Sequence, residues 1–100
     1  MTTEYAALPV INPMAEEAYW REAYRREPYY RDDLTYDDYG PAYRVGYTGP
    51  VRRQGEFEQL EGALKRDFDQ VRGRSRLRWE DAREATRAAW RRATAGKRAH

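Results

Sequence analysis

Apolar residues fall at helical rather than strand spacing along most of this chain, and they predict short amphipathic helices. In residues 14–27, MAEEAYWREAYRRE, Trp20 and Tyr24 stand four apart and share a face. Pro13 is placed to open that helix and Pro28 to stop it. Ahead of it, residues 1–13 read as an extended arm. Pro9 and Pro13 break helix continuity there, and Ala7-Leu8-Pro9-Val10-Ile11 is apolar enough to lie across a surface. Residues 28–35 read as a connector.

An internal repeat organises the rest. Tyr36 to Tyr47 (YDDYGPAYRVGY), Phe57 to Phe68 (FEQLEGALKRDF) and Trp79 to Trp90 (WEDAREATRAAW) are 12-residue units starting 21 and 22 residues apart. Each begins and ends on an aromatic. Counting the first as zero, position +1 is acidic (Asp37, Glu58, Glu80) and position +3 is Tyr39, Leu60 or Ala82. Position +6 is alanine (Ala42, Ala63, Ala85), and position +8 is basic (Arg44, Lys65, Arg87). On a helix, positions 0, 3, 7 and 11 fall within about 80° of one another, so the two aromatics end one stripe roughly 16 Å long. The alanine at the stripe's edge lets a second helix approach, and the early acid suits the helix dipole.

Helices are therefore expected at 14–27, 36–47, 56–71 and 79–95. Thr35-Tyr36-Asp37-Asp38 resembles a capping box with Asp in the place of Glu. Gly40-Pro41 is expected to delay or kink the second helix, and Thr48-Gly49-Pro50 and Arg72-Gly73-Arg74-Ser75 read as turns. The fold class predicted is all-α: an extended arm (1–13), one small bundle of about four short helices (14–95) and a frayed tail (96–100). Packing is expected through Trp20, Tyr24, Tyr36, Tyr39, Tyr43, Tyr47, Phe57, Leu60, Leu64, Phe68, Leu77, Trp79 and Trp90.

Composition sharpens this. Leu, Ile, Val and Phe number only 12 of 100 residues, a level that alone suggests disorder. A formal net charge of +2 and the nine Tyr, three Trp and two Phe argue for a folded chain with a thin, partly wet aromatic core. There is no Cys, hence no disulfide or thiolate metal site. With no basic start, long apolar run or membrane-length segment in the sequence, a cytoplasmic protein without membrane association is the expectation. Charge is uneven: residues 1–50 balance to −4 and residues 51–100 to +6. Such asymmetry points to a nucleic-acid surface or to head-to-tail docking of copies, although Arg outnumbering Lys 17 to two also fits a GC-rich genome.

Chemistry is scarce. The one His is His100, and the one Ser, Ser75, lies in an Arg-rich turn without a nearby base, so common nucleophile–base sets cannot be assembled. Asp32, Asp33, Asp37 and Asp38 cluster, but they read as exposed helix-capping acids and lack a calcium-loop pattern. No Gly-rich phosphate loop is present. No catalytic residue, metal site, cofactor or small-molecule substrate is expected. Arg72, Arg74, Arg76 and Arg78 alternate before Trp79, and Arg83, Arg87 and Arg91 recur along the last helix. They are a candidate phosphate-backbone track. Pairing of Arg83, Arg87 and Arg91 with Glu80, Asp81 and Glu84 would instead make an ordinary solvated face.

The runs YWREAYRREPYY, YDDYGPAYRVGY and WEDAREATRAAWRRA resemble a family of small uncharacterised bacterial proteins. Those proteins carry YDDY-PAYR-G and W-(D/E)-(D/E)-A-R-x-A-x-R-x-A-W motifs. The likeness covers about residues 19–94. It departs from the motif at Arg78, where a Thr-like cap commonly precedes the Trp, which weakens the cap of the last helix. The resemblance implies association with stress responses and supplies no catalytic residue. The function expected is a non-enzymatic scaffold that forms a homo-oligomer or larger assembly through Trp20, Tyr24, Tyr36, Tyr39, Tyr43, Tyr47, Phe57, Phe68, Trp79 and Trp90. An accessory nucleic-acid binder using Arg72 to Arg92 is the alternative.

Overall fold

The computed structural model describes residues 11–98, with side chains through Ala95, so residues 1–10 of the arm expected over 1–13 and the last two residues of the expected tail lie outside the described residues. All its regular elements are helical: α1 Pro13–Ala23, a 3-10 turn Tyr24–Arg26, α2 Tyr36–Arg52, α3 Phe57–Val71 and α4 Trp79–Arg98. The all-α bundle read from the sequence is the observed fold, although several boundaries differ.

Helix α1 starts on Pro13, one residue early, because Asn12 caps it. The Asn12 Oδ1 accepts from the N–H groups of Met14 and Ala15 at 3.1 and 3.2 Å. It ends at Ala23 rather than residue 27. Pro28 disfavours helical geometry at Glu27, which is extended (φ −80, ψ 148), and the preceding turn tightens to 3-10 form.

The largest departure is α2. The delay or kink expected at Gly40-Pro41 and the turn expected at Thr48-Gly49-Pro50 are both absent, and one 17-residue helix runs through both prolines. Each proline removes one backbone donor, and tertiary packing outweighs that loss. The inward face of α2 carries Tyr39, Ala42, Tyr43, Val45, Gly46, Tyr47 and Gly49, all buried. Gly46 and Gly49 sit where α4 passes. A Cβ on Gly46 would press into the Thr86 carbonyl oxygen and come within 2.7 Å of the Ala89 Cβ. One on Gly49 would lie 2.6 Å from the Trp90 ring. The two glycines that look like helix breakers are the residues that let α2 and α4 touch. At the same crossing the Thr86 hydroxyl donates to the Ala42 carbonyl at 2.9 Å, and Ala42, Ala85 and Ala89 are fully buried. The repeat's +6 alanine thus works as read in α2 and α4, whereas Ala63 in α3 is only half-buried.

Helix α3 opens at Phe57, one residue after the expected start, with the Glu56 N–H donating to Gln59 Oε1 at 3.1 Å. Gly73, in left-handed conformation (φ +53), turns the chain from α3 into an extended segment in which Ser75 and Leu77 point inward. Helix α4 begins with the Arg78 carbonyl accepting from the N–H groups of Asp81 and Ala82. Its last turn continues past Gly96 to Arg98, beyond the predicted end at residue 95.

Aromatics fill the core. Trp20 of α1 stacks on Tyr43 of α2, with ring centroids 4.4 Å apart and planes 12° apart. Tyr24, Tyr29, Tyr30, Tyr36 and Tyr39 pack around that pair. Phe57 meets Trp90 and Phe68 meets Trp79 at the α3–α4 contact. Of the predicted packing residues, only Tyr36 and Leu60 are less than fully buried, and both lie against the core.

Candidate functional site

Asp38 was read as one of four exposed acids, but only 3% of its surface is exposed. Its carboxylate accepts from the Thr35 N–H at 3.0 Å, which is the carboxylate half of the predicted capping box. It also accepts from the Arg76 guanidinium at 2.8 and 3.2 Å and from the Arg76 N–H at 2.9 Å. These donors hold the Asp38 carboxyl well below the usual carboxylate range. Ser75 joins the same knot, donating to the Asp38 carbonyl and accepting from the Leu77 N–H. The one Ser of the chain ties α2 to the segment before α4, its hydroxyl engaged in both of these bonds. Among the described residues no group of three or more acids or histidines stands together to hold a metal.

The predicted phosphate track is largely committed elsewhere. Arg76 belongs to Asp38. Arg83 makes a two-pronged contact with Glu61 at 2.6 and 2.9 Å, beside the Trp79 indole N–H, which donates to the same carboxylate at 3.1 Å. Arg83 holds the Glu61 carboxyl below its usual range. Arg87 pairs with Glu58 at 3.4 Å and lies over the Phe57 ring. Arg72 lies over Phe68 and donates to the Ser75 and Leu77 carbonyls. The pairing expected along one surface of α4 is thus mostly replaced by pairing to other helices, because Arg83 and Arg87 face α3 rather than solvent. Of these arginines, Arg83 alone keeps an ion-pair partner on its own helix among the described residues, Glu84 at 3.1 Å. Asp81 reaches Arg31, and Arg78, which remains largely exposed, stands 3.7 Å from Glu80. Arg74 and Arg91 are exposed and take part in no ion pair among the described residues.

The aromatic set fares similarly. Nine of its ten residues are buried within one chain, and Tyr36 is half-buried against the core. The stripes are therefore closed by the chain's own helices. The charge asymmetry is partly met inside the chain too, through Arg76 to Asp38 and Arg92 to Glu16, each joining a base of the second half to an acid of the first.

Among the described residues, open grooves remain, and two of them gather charged side chains with aromatic ones. One, of about 380 Å³, lies between α1, α2 and the turn after α3 and is lined by Arg21, Tyr36, Arg44, Tyr47 and Arg74 among others. The second, of about 480 Å³, lies where the start of α3 meets the end of α4, with Phe57 and Trp90 at its floor and Glu58, Arg87 and Arg91 at its edge. The sequence signalled neither, because each joins residues from separate helices. No helix among the described residues is long and apolar enough to cross a membrane. No protein-family model matches the chain, and neither a curated protein nor a solved structure is similar enough to count as a match.

Proposed function

We propose that this chain is a non-enzymatic scaffold, of the stress-associated kind its motifs suggest, and that it acts by self-association through its charged exterior. One observation carries the reading. Once the intrachain ion pairs are made, the acids left without an ion pair among the described residues include Glu22, Asp32 and Asp37, all in the first 37 residues and all exposed. The exposed arginines left over include Arg25, Arg26 and Arg44 in the first half of the chain and Arg52, Arg66, Arg74 and Arg91 in the second. The first half thus carries unmatched charge of both signs, and the four unmatched arginines of the second half suit contact with the acids Glu22, Asp32 and Asp37 of another copy. In this reading the aromatic residues make the module rigid and take no part in the contact itself. Ser75 and Asp38 are buried in structural bonds and the partly exposed Glu61 is held by Arg83, so this reading gives the three a structural role.

Light scattering across concentration, at low and high salt, tests the reading. The expected result is a mass that grows with concentration at low salt and falls back toward the monomer at high salt, where charge contacts are screened. A strictly monomeric species at high concentration and low salt overturns it.

Accessory nucleic-acid binding is a second reading, favoured by the outward position of Arg74, Arg78 and Arg91. Its mark is a salt-dependent shift on DNA that Arg74→Glu with Arg91→Glu abolishes. Arg76, Arg83 and Arg87 are left out of this test because their substitution would damage the fold.

A further inference from the structure

We propose that the groove between α1, α2 and the turn after α3 is a binding site for a phosphate group, carried by a small phosphate monoester or by inorganic phosphate. Its donors come from three separate parts of the chain. Arg21, on α1, lies over the Tyr36 ring at 4.4 Å and is bonded to Glu17 at 2.9 Å, so its guanidinium is held in place before any ligand arrives. Arg44, on α2, and Arg74, in the turn, line the same groove, and neither has a carboxylate partner among the described residues. Gly73, with φ +53, is what swings the chain so that Arg74 faces α2, since a side chain at that backbone conformation would be strained.

Tyr36 and Tyr47 complete the set. Burial pushes the Tyr36 hydroxyl up to about 12 and raises Tyr47 as well, so both are neutral donors at physiological pH. The Arg44 guanidinium stands close enough to the Tyr47 hydroxyl to oppose part of that effect. Neutral phenols and unmatched guanidiniums suit an anion rich in acceptor oxygens. A phosphate monoester, with a charge near −1.5 to −2 and three strong acceptors, meets more of these donors than a carboxylate would. Two acids also line the groove. Glu17 is neutralised by Arg21, and Asp37 stands at the start of α2. They limit the site to one phosphate and disfavour a long polyanion. The volume of about 380 Å³ accommodates a phosphate with a modest organic group, at the lower end of ordinary ligand pockets. The Tyr36 ring is already engaged, with Arg21 over it at 4.4 Å and Tyr43 stacked near it at 6.2 Å, so it is a poor platform for a base.

The site does not depend on self-association, and the test keeps the two apart by working at a concentration where light scattering reads a single species. Arginine side-chain and backbone NMR shifts are followed during titration with inorganic phosphate, with a nucleoside 5′-monophosphate and with the unphosphorylated nucleoside, against sodium chloride at matched ionic strength. Saturable shifts at Arg44, Arg74 and Tyr36 with phosphate are expected, weakened at least tenfold in Arg44→Gln with Arg74→Gln. Both positions are exposed, so the variant should keep the wild-type circular dichroism and melting temperature, and a variant that does not is replaced by the single Arg74→Gln. Tighter binding of the monophosphate than of phosphate assigns the source to a monoester, and equal binding assigns it to the free ion. Shifts that sodium chloride reproduces, or that survive in the variant, overturn the proposal.

Discussion

Gly46→Ala tests the closest approach in the fold. In an ordinary exposed helix the change is favourable by about 1 kcal/mol, because alanine gives up less backbone freedom. At Gly46 the new methyl meets the Thr86 carbonyl oxygen and lies 2.7 Å from the Ala89 Cβ. Neither atom is the end of a flexible side chain, so relief requires α4 to move away from α2. That movement would stretch the Thr86–Ala42 hydrogen bond and loosen Ala85 and Ala89. Overpacking of a close-packed core costs about 1–3 kcal/mol or more, and displacement of a whole helix belongs at the upper end. After the helix-propensity gain is subtracted, a net loss of about 2–3 kcal/mol is expected. For a domain of this size that lowers the melting temperature by roughly 10–20 °C. Gly62→Ala is the internal control. Gly62 is exposed in the middle of α3, and the nearest atom to its new methyl would be an Arg66 guanidinium nitrogen at 4.0 Å. It should gain about 0.5–1 kcal/mol and melt a few degrees higher. Thermal and urea unfolding followed by circular dichroism reads both. If Gly46→Ala matches wild type or shifts upward as Gly62→Ala does, α2 and α4 do not cross at this distance.

Other perturbations probe the polar ties. Asp38→Asn should lower stability at neutral pH by about 2–3 kcal/mol, since it weakens a buried ion pair and the bonds to two backbone donors. The folded-state titration of Asp38 lies below its unfolded value, so its contribution is present above about pH 4 and is lost as pH falls below that. Urea unfolding from pH 7 down to pH 3 should therefore fall more steeply for wild type than for Asp38→Asn, and parallel curves would refute the role assigned to the pair. Glu61→Gln should act with the same sign but less strongly, because Glu61 and Arg83 are each partly exposed, and quenching or a shift of tryptophan emission should report the change beside Trp79. Tyr29→Phe leaves the buried Tyr43 hydroxyl without its 2.7 Å partner and should cost about 1–2 kcal/mol by chemical denaturation. Burial raises the titration of Tyr29 and Tyr43 well above the ordinary phenol value, so stability should hold below about pH 10 and decline above it. Absorbance at 295 nm should show these two ionising only as the chain unfolds, and free titration of all nine tyrosines in the folded state would contradict the core described above.

The sequence by itself determined the helical class, the repeat and most of the core. Aromatics bounding a 3.6-residue stripe have only one economical arrangement, so Tyr47, Phe57, Phe68, Trp79 and Trp90 were legible as packing residues from spacing alone. The Asp38 capping box was likewise legible, because it rests on a local hydrogen bond to Thr35, whereas the equally local caps at Asn12 and Glu56 became plain only with the helix starts themselves. What tertiary structure decided was everything whose physics lies between helices. Gly40-Pro41 and Gly49-Pro50 carry strong local signals against a helix, and only the closeness of α4 turns Gly46 and Gly49 into the reason α2 continues. Asp38 and Ser75 look like solvent-facing polar residues in one dimension, because the Arg76 that buries and pairs with Asp38 lies 38 residues away. The arginines before and within α4 read as one basic track until their partners on α2 and α3 are known. Charge pattern along a chain fixes which signs are available, whereas the separation of helices fixes which are cancelled. The groove that gathers Arg21, Arg44 and Arg74 is legible only in what that cancellation leaves over.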